Sequence, residues 1–172
     1  MNVSVSQKNS NKIDITAVKN IAADLGLNEK LVELLFLRGI DDEEALKRFL
    51  YPDVNAFYDP FLMKGMAEAV KRIETAIENK EKIVVYGDYD ADGVCSAAIL
   101  SLFLSSRGLD VYAHIPNRVG DGYGLNTERL SQIIDEHIPD LIITCDCGIS
   151  GTEEVRFALD LGVDVIVTDH HE

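Results

Sequence analysis

The chain has 172 residues, a formal net charge of -14 and 47% hydrophobic residues. This length and apolar content suffice for one domain with a real core, or for one domain and a small additional one. No apolar run reaches membrane-spanning length, and residues 1–20 lack the charged-then-apolar pattern of a signal peptide, so we expect no membrane partner. Three widely spaced cysteines argue against a disulfide scaffold and favour a cytoplasmic location.

The acidic excess is concentrated in the second half of the chain. Residues 1–80 carry 11 Lys/Arg against 13 Asp/Glu, whereas residues 81–172 carry 5 against 17. Proteins that bind nucleic acid non-specifically are usually basic, so charge alone disfavours that partner. Bound cations would cancel part of this excess if the acidic residues are metal ligands.

The first half of the chain is predicted to be mainly helical. Residues 1–12 are polar and aperiodic, which predicts a disordered tail. Residues 13–80 are predicted to form a helical N-terminal region and linker, in which Asn28 caps one helix and Asp41 caps the next. Helical spacing covers residues 15–50 and 65–80, and a turn-rich segment covers residues 51–60.

From residue 81 onward, short apolar runs alternate with amphipathic stretches. Strand, helix, strand, helix with short connections is typical of a parallel sheet covered by helices on both faces. We therefore predict an α/β fold with a Rossmann-like parallel sheet over residues 81–172. The predicted strands are 83–86, 109–115, 141–144 and 163–168, and the predicted helices are 94–106, 126–137 and 152–161.

An acidic loop follows the first predicted strand. Asp88, Asp90 and Asp92 alternate with other residues, and carboxylates this close repel one another unless a cation neutralises them. Their oxygens are hard ligands that suit Mg²⁺ or Mn²⁺. An EF-hand calcium loop is disfavoured because Ile99 stands where a bidentate Glu is required. The loop could also belong to an aspartyl-phosphate phosphatase or be a solvated acidic turn.

Two further groups of polar residues each follow a predicted strand. Asp146 comes after the third strand, and Asp169, His170 and His171 come after the fourth. Ligands of such sheets bind beyond the carboxyl ends of the strands, so all of these residues should meet at one edge. Neutral imidazoles commonly bind transition metals, and a neighbouring carboxylate can fix their orientation. The alternatives are a helix cap for Asp146 and a solvated chain end for the histidines.

The cysteines and the remaining histidines of this half are predicted to have no role in metal binding. Cys145 and Cys147 flank Asp146 and offer few ligands for a soft metal, so we favour packing roles for both. In an extended backbone the two cysteines would point to one side and Asp146 to the other. His114 and His137 have no acidic cluster beside them.

A glycine-rich loop after the second predicted strand is a third candidate for function. Its glycines at positions 120, 122 and 124 allow backbone to approach a ligand closely. Arg118 offers a forked donor that suits phosphate. A flexible surface turn is the alternative interpretation.

Taken together, these motifs resemble the DHH phosphoesterase superfamily, and within it the RecJ group of single-strand-specific exonucleases. The resemblance extends from about residue 21 to the end of the chain. One departure is Tyr86, which stands where other branches of the superfamily have a histidine. The matching segments are 87–93, 146–148, 169–171 and the loop over 116–125.

The resemblance implies hydrolysis of phosphodiester bonds in single-stranded DNA from the 5′ end, in DNA repair and recombination. The implied cofactors are Mn²⁺ or Mg²⁺, with two ions in the complete enzyme. The family continues past its third motif, so residues 81–172 are expected to be the N-terminal part of a truncated DHH domain that is inactive alone. Two alternatives stay open: hydrolysis of a small molecule such as pyrophosphate, a cyclic dinucleotide or a nanoRNA, and a non-catalytic DHH scaffold.

The resemblance also assigns roles to individual residues. Asp90, Asp92 and His171 are expected to be catalytic, and Asp88 is a weaker ligand or a group that positions water. Asp169 is expected to orient a ligand rather than bind metal. The implied metal ligands are Asp88, Asp90, Asp92, Asp146, His170 and His171. The implied substrate contacts are Arg118, Gly122 and Tyr123.

Overall fold

The computed structural model of the protein describes residues 13–117 and 124–171. The chain divides into two compact units, Met1–Pro60 and Phe61–Glu172. The sequence placed the division at residue 80, so the structure assigns the last predicted helix of the first half to the second unit. The predicted tail at residues 1–12 lies outside the described residues.

From residue 13 onward, the first unit contains three short helices: α1 (Ile15–Leu25), α2 (Glu29–Leu37) and α3 (Glu43–Leu50). Each presents one apolar face to the others, as its spacing predicts. The chain then makes a 3-10 turn at Val54–Ala56. The buried core of this unit consists of Val18, Ala22, Val32, Leu35 and Leu46.

The helix caps of the first unit follow the sequence with one exception. Asn28 caps α2, and its side chain accepts the N–H of Lys30 at 2.8 Å. The prediction of Asp41 as the cap of α3 is wrong, because Asp42 holds that position and accepts the N–H of Ala45 at 2.7 Å. Adjacent aspartates are equally good caps, so the sequence could not separate them.

Over its described residues, the second unit is a four-stranded parallel sheet with its helices. The elements are α4 (Met66–Asn79), β1 (Lys82–Gly87), α5 (Ala91–Ser106), β2 (Asp110–His114), α6 (Thr127–His137), β3 (Leu141–Cys145), α7 (Thr152–Asp160) and β4 (Asp164–Thr168). A 3-10 turn at Pro60–Leu62 precedes α4. The strand order is β2-β1-β3-β4, and Val85 of β1 pairs with Ala113 of β2 and Ile143 of β3.

Helices cover both faces of this sheet, which confirms the predicted fold class. Alternate residues of β1 and β3 enter two separate cores, as the pleat of a strand requires. One core joins the sheet to α4 and α5 through Ala76, Ala97 and Leu104. The other joins it to α6 and α7 through Leu130, Ile133 and Ala158.

Ion pairs attach α4 to the amino ends of two strands. Arg72 of α4 lies 2.7 Å from Glu81, just before β1, and 2.6 Å from Asp164, the first residue of β4. Together with the packing of Ala76 in the sheet core, these contacts join α4 to the second unit. Across the described ranges, 13–117 and 124–171, no helix combines the length and apolar character needed to cross a membrane.

Candidate metal centre

Three adjacent strands end in acidic or imidazole side chains at one edge of the sheet. Because β1, β3 and β4 are parallel neighbours, the residues after them meet at their carboxyl ends, as the sequence predicts. Two ligand sets form there, and within each set one ligand atom per residue lies within 4.8 Å of the others. The first set is Asp146, His170 and His171; the second is Asp88, Asp90 and Asp146.

Asp146 belongs to both sets and is the most constrained residue of the site. It is only 8% exposed, and neither of its carboxylate oxygens has a hydrogen bond of good geometry with a described residue. Oδ1 does lie 2.9 Å from Nε2 of His170, which is an ion-pair distance. Burial, followed by the charge of Asp90, raises the pKa of Asp146. Buried carboxylate oxygens of this kind call for a positive partner.

The backbone at Asp146 explains where its neighbours point. Its φ of 63° is left-handed, so the chain is not extended between Cys145 and Cys147. Both cysteines are buried, but they enter the two opposite cores, so the expectation that they share one side is wrong. Burial raises the pKa of both thiols, that of Cys147 to about 12. Thiols that stay protonated are poor metal ligands, which favours packing for both.

Two glycines allow the acidic loop to pass close to the start of α5. A Cβ on Gly93 would overlap the backbone of Asp88, and a Cβ on Gly87 would lie 2.7 Å from Cδ1 of Ile115. A side chain at position 93 would therefore displace Asp88, and one at position 87 would lie 2.8 Å from the carbonyl oxygen of Gly93. This close approach brings the carboxylates of the loop to the strand ends.

Asp88 and Asp90 enter the site in different ways. Asp88 is 2% exposed, and its buried Oδ1 has no hydrogen-bond partner among the described residues. Asp90 is the N-cap of α5, and its Oδ1 accepts the N–H groups of Asp92 at 2.9 Å and Gly93 at 3.1 Å. The bond from Gly93 is the main reason that the pKa of Asp90 is lowered. Asp90 therefore remains ionised near neutral pH.

Asp169 holds the loop after β4. Its Oδ1 accepts the N–H groups of His170 at 2.7 Å and His171 at 3.0 Å, and its Oδ2 accepts that of Ile149 at 3.0 Å. Burial opposes ionisation, but these hydrogen bonds prevail and lower the pKa of Asp169 to about 2. Oδ1 also lies 2.7 Å from Nδ1 of His171 and raises the pKa of that ring. With Nδ1 donating to Asp169, Nε2 is the ring atom able to bind a metal.

The two ligand sets do not include every residue considered from the sequence. Asp92 is exposed in the first turn of α5 and belongs to neither ligand set, although its charge contributes to the raised pKa of Asp146. His114 and His137 also stay outside both sets, and His137 stacks on Tyr112 with ring centroids 3.7 Å apart. The predicted substrate contacts Arg118, Gly122 and Tyr123 fall outside the described residues.

Sequence reasoning missed two residues that support the site. Tyr86, noted only as a departure, is fully buried, and its hydroxyl donates to the carbonyl of Gly124 at 3.3 Å. Thr144 is also fully buried, and its hydroxyl donates to the carbonyl of Cys147 at 2.7 Å. The signal that could have identified Thr144 was a hydroxyl inside the otherwise apolar run 141–145.

The donor set fits a divalent cation. Carboxylate oxygens with imidazole nitrogens suit Mn²⁺, and the all-carboxylate set suits Mg²⁺ or Mn²⁺. The buried oxygens of Asp88 and Asp146, which have no hydrogen-bond partners among the described residues, are those that a cation would satisfy. A solvated acidic turn does not account for burial of this kind.

The chain is similar to known proteins. Residues 82–172 match the family described as "DHH family, N-terminal domain". The single-stranded-DNA-specific exonuclease RecJ of Bacillus subtilis is 45% identical over 159 residues, which cover 92% of this chain and 20% of that protein. The chain therefore spans about a fifth of the length of this curated relative.

Two solved structures are similar as well. A RecJ from Thermus thermophilus in complex with Mn²⁺ matches with a TM-score of 0.69 and 34% identity, covering 92% of this chain and 21% of that one. An exonuclease RecJ bound to manganese matches with a TM-score of 0.60 and 44% identity, covering 64% of this chain and 28% of that one.

Proposed function

Because the chain belongs to the DHH family, we propose that its carboxyl-edge site serves metal-dependent hydrolysis of phosphodiester bonds in single-stranded DNA from the 5′ end. The observation that carries this proposal is the pair of ligand sets that share Asp146, whose buried carboxylate oxygens have no hydrogen bonds with described residues. Relatives with similar sequences are named as single-stranded-DNA-specific exonucleases.

The proposed cofactors are two Mn²⁺ or Mg²⁺ ions. Asp88 and Asp90 would hold one ion, His170 and His171 would hold the other, and Asp146 would bridge them. When bound, such ions polarise a phosphoryl oxygen and promote deprotonation of an attacking water. The similar structures that contain Mn²⁺ support this choice of metal.

The protein residues would fix the geometry of that site. Asp169 holds His171 through Nδ1, so that the ring presents Nε2 to the site. Asp90 keeps its charge because the N-terminus of α5 donates to it, and the same helix start attracts negative charge such as phosphate. Asp92 stands beside the ligand sets as a candidate to orient water or to contact an ion. His171 and Asp90 would act at the reacting phosphate only through the ions that they hold.

The substrate is proposed to enter over the glycine-rich loop. Arg118, with Gly122 and Tyr123, would contact a phosphate of the single strand. Tyr86 donates to the carbonyl of Gly124 and so anchors one end of this loop to the sheet. Because Arg118 is a single cation and the metal centre is acidic, binding would favour a phosphate whose charge is already neutralised by the bound ions.

We place this activity in DNA repair and recombination, in the cytoplasm. Three free cysteines support a reducing compartment. Hydrolysis of a small phosphorylated molecule is the competing function, and a non-catalytic scaffold is a further one. The two ligand sets favour an enzyme over a scaffold, because a scaffold has no need for buried carboxylate oxygens without well-aligned hydrogen-bond donors.

The metal site is tested by titrating the 172-residue chain with Mn²⁺ and replacing Asp146 by Asn. The amide keeps the shape of the side chain and tolerates the left-handed backbone, but it removes the shared charge. We expect Mn²⁺ affinity to fall by at least about tenfold in Asp146→Asn. The matched control is Asp110→Asn, at the opposite edge of the sheet, which should bind Mn²⁺ as the parent does.

The reaction is tested in a chimera in which this chain replaces the matching segment of the Bacillus subtilis exonuclease. We expect Mn²⁺-dependent release of nucleotides from the 5′ end of single-stranded DNA, lost with Asp146→Asn and kept with Asp110→Asn. A folded chimera that prefers pyrophosphate or a dinucleotide would replace this proposal with the small-molecule one. A folded chimera that hydrolyses none of these substrates would favour the scaffold.

A further inference from the structure

A buried hydroxyl lies at the end of β3, next to the shared ligand. Thr144 is fully buried, and a buried hydroxyl costs free energy unless it is hydrogen-bonded. Its Oγ1 forms two hydrogen bonds: it donates to the carbonyl of Cys147 at 2.7 Å and accepts the N–H of Thr168 at 3.2 Å. The two bonds lead to the two chain segments that carry the first ligand set.

The first bond closes a turn around Asp146. It joins residue 144 to residue 147 across the left-handed backbone of Asp146, a conformation that most residues avoid. Gly148 lies close to the hydroxyl of Thr144, since a Cβ at position 148 would lie 3.1 Å from Oγ1. The hydroxyl therefore lies inside the turn and fixes the direction in which the Asp146 side chain leaves the strand.

The second bond ties this turn to the end of β4. Thr168 immediately precedes Asp169 and the two histidines, and its own hydroxyl donates to the carbonyl of Thr144 at 2.5 Å. The N–H of Asp146 donates to the carbonyl of Thr168 at 2.9 Å. Four hydrogen bonds thus join the turn and the two strand ends, and Oγ1 of Thr144 takes part in two of them.

We propose that Thr144 is a positioning residue, whose hydroxyl sets the distance between Asp146 and His170. That distance, 2.9 Å between Oδ1 and Nε2, is short only while both strand ends keep their present places. The hydroxyl of Thr144 forms its hydrogen bonds with Cys147 and Thr168, so it acts on the two ligands through the backbone on each side. This inference rests on the proposed function, because the two ligands need a preset distance only if they share a cation.

The test compares Thr144→Val with Thr144→Ser. Valine keeps the shape and removes the hydroxyl, whereas serine keeps the hydroxyl and removes a methyl group. With Mn²⁺ as the probe, we expect the dissociation constant of the 172-residue chain to rise by roughly 10- to 100-fold in Thr144→Val. Thr144→Ser should stay within about threefold of the parent, since it retains both hydrogen bonds. The matched control is Thr75→Val, because the hydroxyl of Thr75 forms its hydrogen bond within α4.

A second readout needs no metal. Amide hydrogen exchange in the metal-free protein should be faster at Asp146 and Thr168 in Thr144→Val, and unchanged in Thr144→Ser and Thr75→Val. This measurement separates the positioning role of Thr144 from the proposed function. A parent chain that binds no Mn²⁺ would refute the proposed function, whereas amide hydrogen exchange would still test the role of Thr144. If Thr144→Val does not fold, Thr144→Ser decides alone. The positioning role is overturned by a valine variant with parental affinity and exchange, or by a serine variant that loses Mn²⁺.

Discussion

The four aspartates at the strand ends differ in what their oxygens contact. Asp169 has both oxygens occupied by N–H donors, and Asp90 has Oδ1 occupied by the start of α5. Asp88 and Asp146 have buried oxygens without such donors among the described residues. The first pair stabilises the loops, and the second pair raises the cost of folding until a cation binds. Stability and metal binding are therefore separable at the level of single residues.

Asp169 predicts a specific dependence of stability on pH. Its pKa is about 2 in the folded chain. An unfolded aspartate has a pKa of about 3.9, so the lowered value stabilises the fold above that pH, and the stabilisation disappears as the pH falls towards 2. We expect Asp169→Asn to lower the free energy of unfolding by about 2 kcal/mol at pH 7. The difference between parent and variant should shrink between about pH 4 and pH 2.

Urea unfolding of the metal-free chain at a series of pH values measures this effect, with Asp110→Asn as the control. If the free energies of unfolding of the parent and Asp169→Asn differ by the same amount down to pH 2, Asp169 does not have the lowered pKa that its contacts imply.

The junction of β1 and α5 combines a structural and a binding role in one element. Gly87 and Gly93 let the strand, loop and helix pack closely, and Asp90 caps the helix. The helix cap needs only a side-chain oxygen that accepts hydrogen bonds, whereas cation binding needs a charged carboxylate oxygen. The two roles of Asp90 therefore respond differently to substitution.

Replacing Asp90 by Asn or by Ala separates these roles. Asparagine is also a good N-cap, so Asp90→Asn should keep the melting temperature of the metal-free chain and lose most of its Mn²⁺ affinity. Alanine cannot cap, so Asp90→Ala should lose Mn²⁺ affinity and also melt roughly 2–4 °C lower. Calorimetry and Mn²⁺ titration of both variants check this. Undiminished Mn²⁺ binding in Asp90→Asn would remove Asp90 from the ligands.

The sequence predicts the elements of the second unit closely, because β-branched runs, short connections and capping residues all favour the same assignment. The predicted strand over residues 141–144 corresponds to Leu141–Cys145, and the predicted helix over 94–106 to Ala91–Ser106. Periodicity could not predict that α4 belongs with the sheet, since this depends on the packing of Ala76 against the strands and on the ion pairs of Arg72. Nor could it predict the left-handed turn at Asp146, which separates the cysteines and is closed by the hydrogen bond from Thr144 to Cys147.

At the scale of the whole molecule, charge and apolar surface are both unevenly distributed. Residues 81–172 carry 17 acidic against 5 basic side chains, and several of the acidic ones meet at one edge of the sheet. The helix α5, by contrast, is apolar on its outer face as well as its inner one. Helices that are apolar all round are usually buried. The exposed side chains are Val94, Ile99, Leu102 and Phe103.

This exposed face predicts that the 172-residue chain associates in solution. Ile99 and Leu102 are 70% and 73% exposed, and apolar side chains of this size favour burial. We expect sedimentation to show concentration-dependent association of the parent and a monomer for the double variant Ile99→Glu, Leu102→Glu. Leu159→Glu on α7 is the control and should behave as the parent does. A parent that stays monomeric at every concentration would contradict this expectation.

The three strand ends are proposed to form one site for two cations, with Asp146 between them. Anomalous diffraction from a crystal grown with Mn²⁺ tests it directly, because the signal locates each ion without reference to the protein. We predict two peaks about 4 Å apart, one bounded by Asp88, Asp90 and Asp146 and the other by Asp146, His170 and His171. Mn²⁺ peaks only at other places, with no ion at the Asp146 carboxylate, would rule out this two-cation site.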